Sequence, residues 1–367
     1  MKNNKIILNA NSCRYLLNFR QNSIKALILK GYEVYCLAPA DESSEELSAI
    51  CTKFLPINYK KSSKNPFNEL KIFVNFFWIF LRLDPKVIFN FTIKNNIYGS
   101  LAGFLTGKKV VNNITGLGSA MLRPGVTKII IFLLYKLIKN IPHHTFCQNN
   151  DDLEYLRDNG LVNASSVSLL PGSGVDSQFF HPKYKNVKGK SCRFIFVGRI
   201  IKDKGFLELI HAFNKLQDDF PNAKLDIVGS VDSLNPSSLS QGEVEKLCQN
   251  RNITLYGQQK DVRDFLSRAN YFVLPSYREG LPRSILEAMA MEVPIIATNV
   301  PGCRELITDN DNGLLCEPIS VNSLYDAMIK MINLSDDVKM QFVKKSRELV
   351  CKNFEEKIVI DELLSLV

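Results

Sequence analysis

Tyr271-Phe272-Val273-Leu274-Pro275-Ser276-Tyr277-Arg278-Glu279-Gly280-Leu281-Pro282-Arg283-Ser284-Ile285-Leu286-Glu287-Ala288-Met289-Ala290 reads as a complete strand, loop and helix. The four apolar residues 271–274 are a short strand buried on both faces. Pro275 ends it. From Ile285 the apolar residues recur at helical spacing, and Pro282 stands where a helix takes its first residue. A doubly buried strand that feeds a helix through a short loop is half of a βαβ crossover. Such a unit belongs to a parallel sheet covered by helices.

The same rhythm extends in both directions. Towards the C terminus, strands are expected at 193–197, 224–228, 253–256, 294–298 and 314–316. Helices fall at about 204–218, 242–250, 262–268, 282–291 and 323–332, and residues 336–367 are helical. Towards the N terminus the strands are 6–10, 33–38, 87–91, 109–114, 145–148 and 166–170. The polar, basic stretch 182–191 separates the two runs. The expected architecture is α/β, with two Rossmann-like, doubly wound domains facing a cleft. Residues 1–181 form the first domain, 182–191 the linker and 192–353 the second. A C-terminal helix, 354–367, packs back on the first. Ligands in open parallel sheets sit beyond the carboxyl ends of the strands, so the loops after strands are where chemistry is sought.

Composition narrows the classes. At 367 residues, with 46% hydrophobic and 23% charged residues, the chain supports two cores and excludes disorder, collagen and coiled coil. The net charge of +9 is unevenly spread. Residues 1–180 hold 21 basic and 12 acidic side chains, while 181–367 hold 25 of each. Between Lys53 and Lys139, 14 basic residues face only Glu69 and Asp84. Such an excess implies an anionic partner. No nucleic-acid-binding signature accompanies it, so a nucleic-acid partner is not expected. The nine cysteines form no C-x-x-C pair, and most sit in apolar runs, which suits a reducing compartment. Met1–Lys5 runs straight into the first strand without a leader, and no apolar run approaches the ~20 residues of a spanning helix. A cytoplasmic protein is expected.

Several patterns fail. Gly103-x3-Gly107-Lys108 is one residue short of a phosphate loop, and Gly116-x-Gly118 and Gly172-x-Gly174 lack the third glycine of a dinucleotide fingerprint. Asp309-Asn310-Asp311 precedes Asn312-Gly313 and reads as a turn. His143-His144 has no partner at metal spacing, and no metal site is expected.

Two segments hold. Glu279 and Glu287 lie eight apart, one in the loop and one on the helix. Gly280 permits close approach of backbone to ligand, and the positive end of the helix after Pro282 favours an anion. Carboxylates beside an anion site must then meet hydroxyls. That combination describes a nucleotide-sugar; the other reading of the same residues is Glu279 as a helix cap and Glu287 on a solvated helix face. In the second segment, Gly198-Arg199 follows a strand and Lys204 lies near the start of the next helix, where Asp203 is the expected N-cap. A guanidinium and an ammonium on one post-strand loop suit a diphosphate leaving group; alone they read equally as surface charges, and the two segments together are the more specific sign.

Gly198-Arg199/Lys204 together with Glu279-x7-Glu287 resembles the motif pair of the family 4 retaining glycosyltransferases, which have the GT-B fold. The resemblance continues through Pro301-Gly302-Cys303-Arg304-Glu305 and Asn312-Gly313-Leu314. In the first half, Asn18-Phe19-Arg20, Asn90-Phe91-Thr92-Ile93-Lys94-Asn95-Asn96 and Asn113-Ile114-Thr115-Gly116 look like the branch acting on undecaprenyl-diphosphate-linked sugars. That branch includes N-acetylgalactosaminyltransferases and transferases of O-antigen and capsule assembly. Where many members have a glycine-rich first loop, this chain has Asn9-Ala10-Asn11-Ser12. Where many have a histidine after the fourth main strand, it has Thr115-Gly116.

The resemblance implies a UDP-sugar donor, a polyprenyl-diphosphate-linked acceptor and no metal or other cofactor. Arg199, Lys204 and Glu279 would be catalytic. Glu287, Gly198, Gly280, Leu281 and Pro282 would bind the donor. Thr115, Gly116, Arg20, Lys94 and Arg123 would lie on the acceptor side. Other GT-B activities, with a soluble acceptor or an epimerase reaction, remain open, as does a non-catalytic membrane-associated module. The aromatic-rich stretch 71–82 and the apolar stretch 128–139, both flanked by lysines, suit either an anionic membrane surface or burial as helices of the first domain.

Overall fold

The computed structural model describes residues 4–59, 65–118, 125–184, 192–233 and 235–367. The chain divides into two compact units, residues 1–173 with 357–367, and residues 174–356. The division falls ahead of the 182–191 stretch expected to be the linker. Within that stretch, Pro182–Tyr184 forms a 3₁₀ turn of the second unit, and 185–191 lie outside the described residues.

The first unit is a seven-stranded parallel sheet. Its strands are β1 (Lys5–Asn9), β2 (Glu33–Ala38), β3 (Lys53–Pro56), β4 (Val87–Phe91), β5 (Lys109–Ile114), β6 (His144–Cys147) and β7 (Val167–Leu169), in the order β3-β2-β1-β4-β5-β6-β7. β3 is absent from the sequence expectation. Its four residues, Lys-Phe-Leu-Pro, are too short and too polar to show periodicity, and they form an edge strand held only by β2. The central strands are buried on both faces. Ile6 and Leu8 of β1 face the helix Cys13–Leu29 and the C-terminal Val359 and Leu363. Ile7 faces Ile72, Phe76 and Phe80 of the helix Pro66–Leu83.

The second unit is a six-stranded parallel sheet. Its strands are β8 (Arg193–Val197), β9 (Lys224–Val228), β10 (Ile253–Leu255), β11 (Tyr271–Leu274), β12 (Ile295–Thr298) and β13 (Leu314–Cys316), in the order β10-β9-β8-β11-β12-β13. Phe194, Phe196, Phe206, Phe213 and Phe272 are fully buried around it, and each contributes roughly 1.5–3 kcal/mol of apolar burial. In both sheets the strand order reverses once, between β1 and β4 and between β8 and β11. Loops at the carboxyl ends there diverge to opposite faces of the sheet and leave a crevice for ligand.

The first unit carries a ladder of asparagines at that reversal. Asn9, Asn90 and Asn112 are lateral neighbours on β1, β4 and β5. The Asn9 amide donates to Asn90 Oδ1 at 3.1 Å, and the Asn90 amide donates to Asn112 Oδ1 at 3.1 Å. The Asn112 amide donates to Ser100 Oγ at 2.9 Å. All four side chains are buried. Asn90→Ala leaves the Asn9 amide without its acceptor, and the expected loss is about 2–4 kcal/mol. A lowered urea midpoint for the first unit's transition checks this; an unchanged midpoint refutes it.

Candidate active site

The strand–loop–helix segments after β8 and β11 flank the reversal of the second sheet. The β8 loop is pinned to its neighbour. Gly198 N–H donates to Val228 O at 3.0 Å, Ile200 N–H to Ser230 O at 2.9 Å and Lys202 N–H to Ser237 O at 2.8 Å. The helix does not begin at an Asp203 cap, as the sequence suggests. Lys202–Lys204 closes a 3₁₀ turn, and Gly205 at φ +68° starts the helix Phe206–Asp219. A Cβ on Gly205 would lie 2.0 Å from Pro275 O, so glycine is what lets the two loops touch.

That contact brings the motif residues together. Tyr277 N–H donates to Asp203 O at 2.9 Å, and its phenol donates to Glu208 Oε1 at 2.9 Å. Burial, with Glu208 beside it, holds the Tyr277 phenol above its ordinary pKa. Lys204 Nζ and the Glu279 carboxylate form an ion pair, their side chains 18% and 10% exposed. Ser276, fully buried, donates its hydroxyl to Glu279 Oε1 at 2.6 Å. Glu279 N–H donates to Pro301 O at 3.2 Å. Glu279 is therefore no helix cap. It is a mostly buried carboxylate fixed by a cation, a hydroxyl and its own backbone.

Arg199 reaches outward. Its guanidinium meets Asp232 Oδ2 at 2.8 Å with the side chain 56% exposed. In solvent such a pair is weak, and the guanidinium can exchange Asp232 for a stronger anion. Pro282 is the N-cap of the helix Arg283–Ala290 and not its first residue, so the helix begins one residue later than expected. On that helix Glu287 lies one turn beyond Arg283, whose Nε meets its Oε1 at 3.0 Å. Burial raises the Glu287 carboxyl above the ordinary carboxylate range, and the Arg283 cation opposes the rise. Gly280 is half-buried, and Leu281 packs against the core of the second unit.

Sequence reasoning missed Ser276, Tyr277, Glu208, Asp232 and Arg283. Ser276 and Arg283 stand three and four residues from the two motif glutamates, a spacing that was visible. Asp232 and Glu208 are joined to the site only by the folding of separate loops. Among the described residues no three His, Cys, Asp or Glu side chains gather as a metal-ligand set.

The acceptor-side expectations fare differently. Arg20 is fully buried, not at the surface. Its guanidinium donates to Phe19 O at 3.1 Å and Gly172 O at 3.4 Å and stacks 4.8 Å from the Phe91 ring centre. These contacts brace the first unit, and the Arg20 Nε is a buried donor that meets no partner among the described residues. Lys94 is ion-paired with Glu69 at 2.6 Å. Thr115 and Gly116 are half-buried in the loop after β5. Arg123 lies outside the described residues.

Residues 177–349 match the glycosyl transferases group 1 family and residues 5–143 the glycosyl transferase 4-like family. The chain is 27% identical over 375 residues to an N,N'-diacetylbacillosaminyl-diphospho-undecaprenol alpha-1,3-N-acetylgalactosaminyltransferase of Campylobacter jejuni, covering 96% of this chain and 95% of the relative. It is 26% identical over 311 residues to the capsular polysaccharide biosynthesis glycosyltransferase CapM of Staphylococcus aureus, covering 82% and 81%. The crystal structure of Anabaena HepE in complex with UDP-glucose has the same fold, with a TM-score of 0.78 at 16% identity over 99% of this chain and 100% of that one. Two parallel-sheet domains of the GT-B type are thus shared with HepE.

Proposed function

Because the chain belongs to the glycosyltransferases that join a 4-like domain to a group 1 domain, we propose that it transfers a sugar, an N-acetylhexosamine, from a UDP-sugar to a polyprenyl-diphosphate-linked saccharide in bacterial glycan assembly. The observation that carries this reading is the Lys204–Glu279 pair, completed by Ser276 and set at the carboxyl end of β11. A fixed cation next to a fixed hydroxyl-binding carboxylate fits a diphosphate bonded to a sugar. The Campylobacter relative names a lipid-linked acceptor, and HepE was crystallised with UDP-glucose.

In the proposed reaction an acceptor hydroxyl oxygen forms a bond to the anomeric carbon. The bond from that carbon to the β-phosphate oxygen breaks. The hydroxyl proton passes to the departing phosphate, leaving UDP and the extended lipid-linked saccharide. Approach on the face of the leaving group retains the anomeric configuration and requires no protein nucleophile. Lys204 and Arg199 stabilise the charge that grows on the diphosphate, in the role a metal has elsewhere. Glu287 accepts hydrogen bonds from the ribose hydroxyls, and Glu279 orients the transferred sugar. The acceptor confines the enzyme to the inner face of the cytoplasmic membrane.

Radiolabelled transfer from a panel of UDP-sugars to a polyprenyl-diphosphate-linked sugar tests the reading. The expected result is one preferred UDP-N-acetylhexosamine, with a rate insensitive to EDTA and an α-linked product from the α-linked donor. Folded protein with no transfer across the panel overturns it.

A further inference from the structure

Three neighbouring helices of the first unit turn apolar side chains to solvent. On the helix Pro66–Leu83 the outward stripe is Phe67, Leu70, Val74, Trp78 and Leu81. On the helix Val126–Ile138 it is Val126, Ile129, Ile130, Leu133 and Leu137. The helix Ile93–Leu105 packs between them and ends in exposed Phe104 and Leu105. The spacing i, i+3, i+4, i+7, i+11 of the second stripe is that of a core-facing row. Here it faces out, with Ile129 and Leu137 60% and 64% exposed, while Tyr135 and Ile138 face the core. A monomer that stays in water rarely turns two such apolar stripes on neighbouring helices to solvent.

The charge around this surface selects its occupant. Lys71, Arg82 and Lys136 are exposed beside the stripes. The helices Val126–Ile138 and Ile93–Leu105 carry no acidic residue, and the helix Pro66–Leu83 carries only Glu69, paired with Lys94. Asp84, just beyond, is paired with Lys108. A second copy of the chain would set lysine against lysine. An anionic bilayer offers both an apolar interior and phosphates for the lysines.

We propose that these three helices are a bilayer-docking face, lying in the plane of an anionic membrane with their outer stripes among the acyl chains. Long basic side chains at the rim reach the lipid phosphates. The inference deepens the reading of a lipid-borne acceptor, on which its catalytic consequence rests: docking brings the enzyme to an acceptor that cannot leave the membrane.

The full chain is sedimented with phosphatidylcholine vesicles, with and without phosphatidylglycerol and free of acceptor. Wild type is expected to bind the anionic vesicles. The double variants Ile130→Gln/Leu133→Gln and Val74→Gln/Trp78→Gln should each weaken partitioning about tenfold or more. Lys136→Glu weakens binding to the anionic vesicles alone. The substituted positions are exposed, and an unchanged melting profile shows that the fold is intact. Equal vesicle binding by wild type and variants overturns the proposal. So does a wild-type dimer that the same variants dissociate, which assigns the face to a second copy. Because these vesicles hold no acceptor, absence of transfer and absence of docking are separate results. With a short-chain, water-soluble acceptor the variants should keep wild-type turnover; on vesicle-embedded acceptor they should lose it.

Discussion

Lys204→Ala is expected, on the proposed mechanism, to lower the turnover number for sugar transfer by about 10²–10³-fold, the cost of removing one charge-stabilising donor from an active site. The ammonium is only 18% exposed and already placed by Glu279, so it needs little reorganisation when the diphosphate leaves. The loss should fall on kcat more than on KM, because the charge it stabilises grows only in the transition state. The variant also strands the Glu279 carboxylate, which is 10% exposed. Breaking a buried pair from one side costs about 3–5 kcal/mol of stability. The double variant Lys204→Ala/Glu279→Gln separates the two effects. It should regain much of the lost stability and none of the lost rate. A Lys204→Ala enzyme with wild-type kcat would remove Lys204 from the mechanism.

Gly302→Ala carries the second large effect. Gly302 sits at φ +81°, and a Cβ there would lie 2.6 Å from Gly280 O and 2.8 Å from Glu279 O. Both oxygens are backbone, so neither can swing aside. The expected outcome is a displaced Glu279–Gly280 segment and a fall in kcat of about 10²-fold, the usual consequence of moving a positioning group by an ångström. Strain at the left-handed position removes about 1–3 kcal/mol of stability as well. Initial rates and urea unfolding of the same preparation measure both. Wild-type values for both would show that the loop after β11 tolerates the shift and does not position Glu279.

Much of this was legible in the residues. The run 271–290 states its own strand, loop and helix, and both motif glutamates lie within it. Gly198, Arg199 and Lys204 are equally local, and the resemblance they carry is confirmed by the family match over residues 177–349. Local pattern says least where it is thin or where a side chain's surroundings come from distant chain. The edge strand Lys53–Pro56 has too few residues to show a period. Nothing near Arg20 in sequence shows that the Phe91 ring and the Gly172 carbonyl enclose it. That Lys94 pairs with Glu69 is likewise not legible locally, because the two lie on separate helices.

The sequence by itself determined the alternation of strands and helices, the parallel sheets and the paired motifs around Gly198 and Glu279. These follow from side-chain period and short-range spacing, which act within one or two turns of chain. The tertiary structure decided the pairings across loops: Lys204 with Glu279, Arg199 with Asp232 and Tyr277 with Glu208. It also decided which way the apolar stripes of the helices Pro66–Leu83 and Val126–Ile138 face. A period shows that a helix has an apolar side. Whether that side meets the sheet or the solvent depends on which other residues have already filled the core, and here Ile72, Phe76, Phe80, Tyr135 and Ile138 have done so.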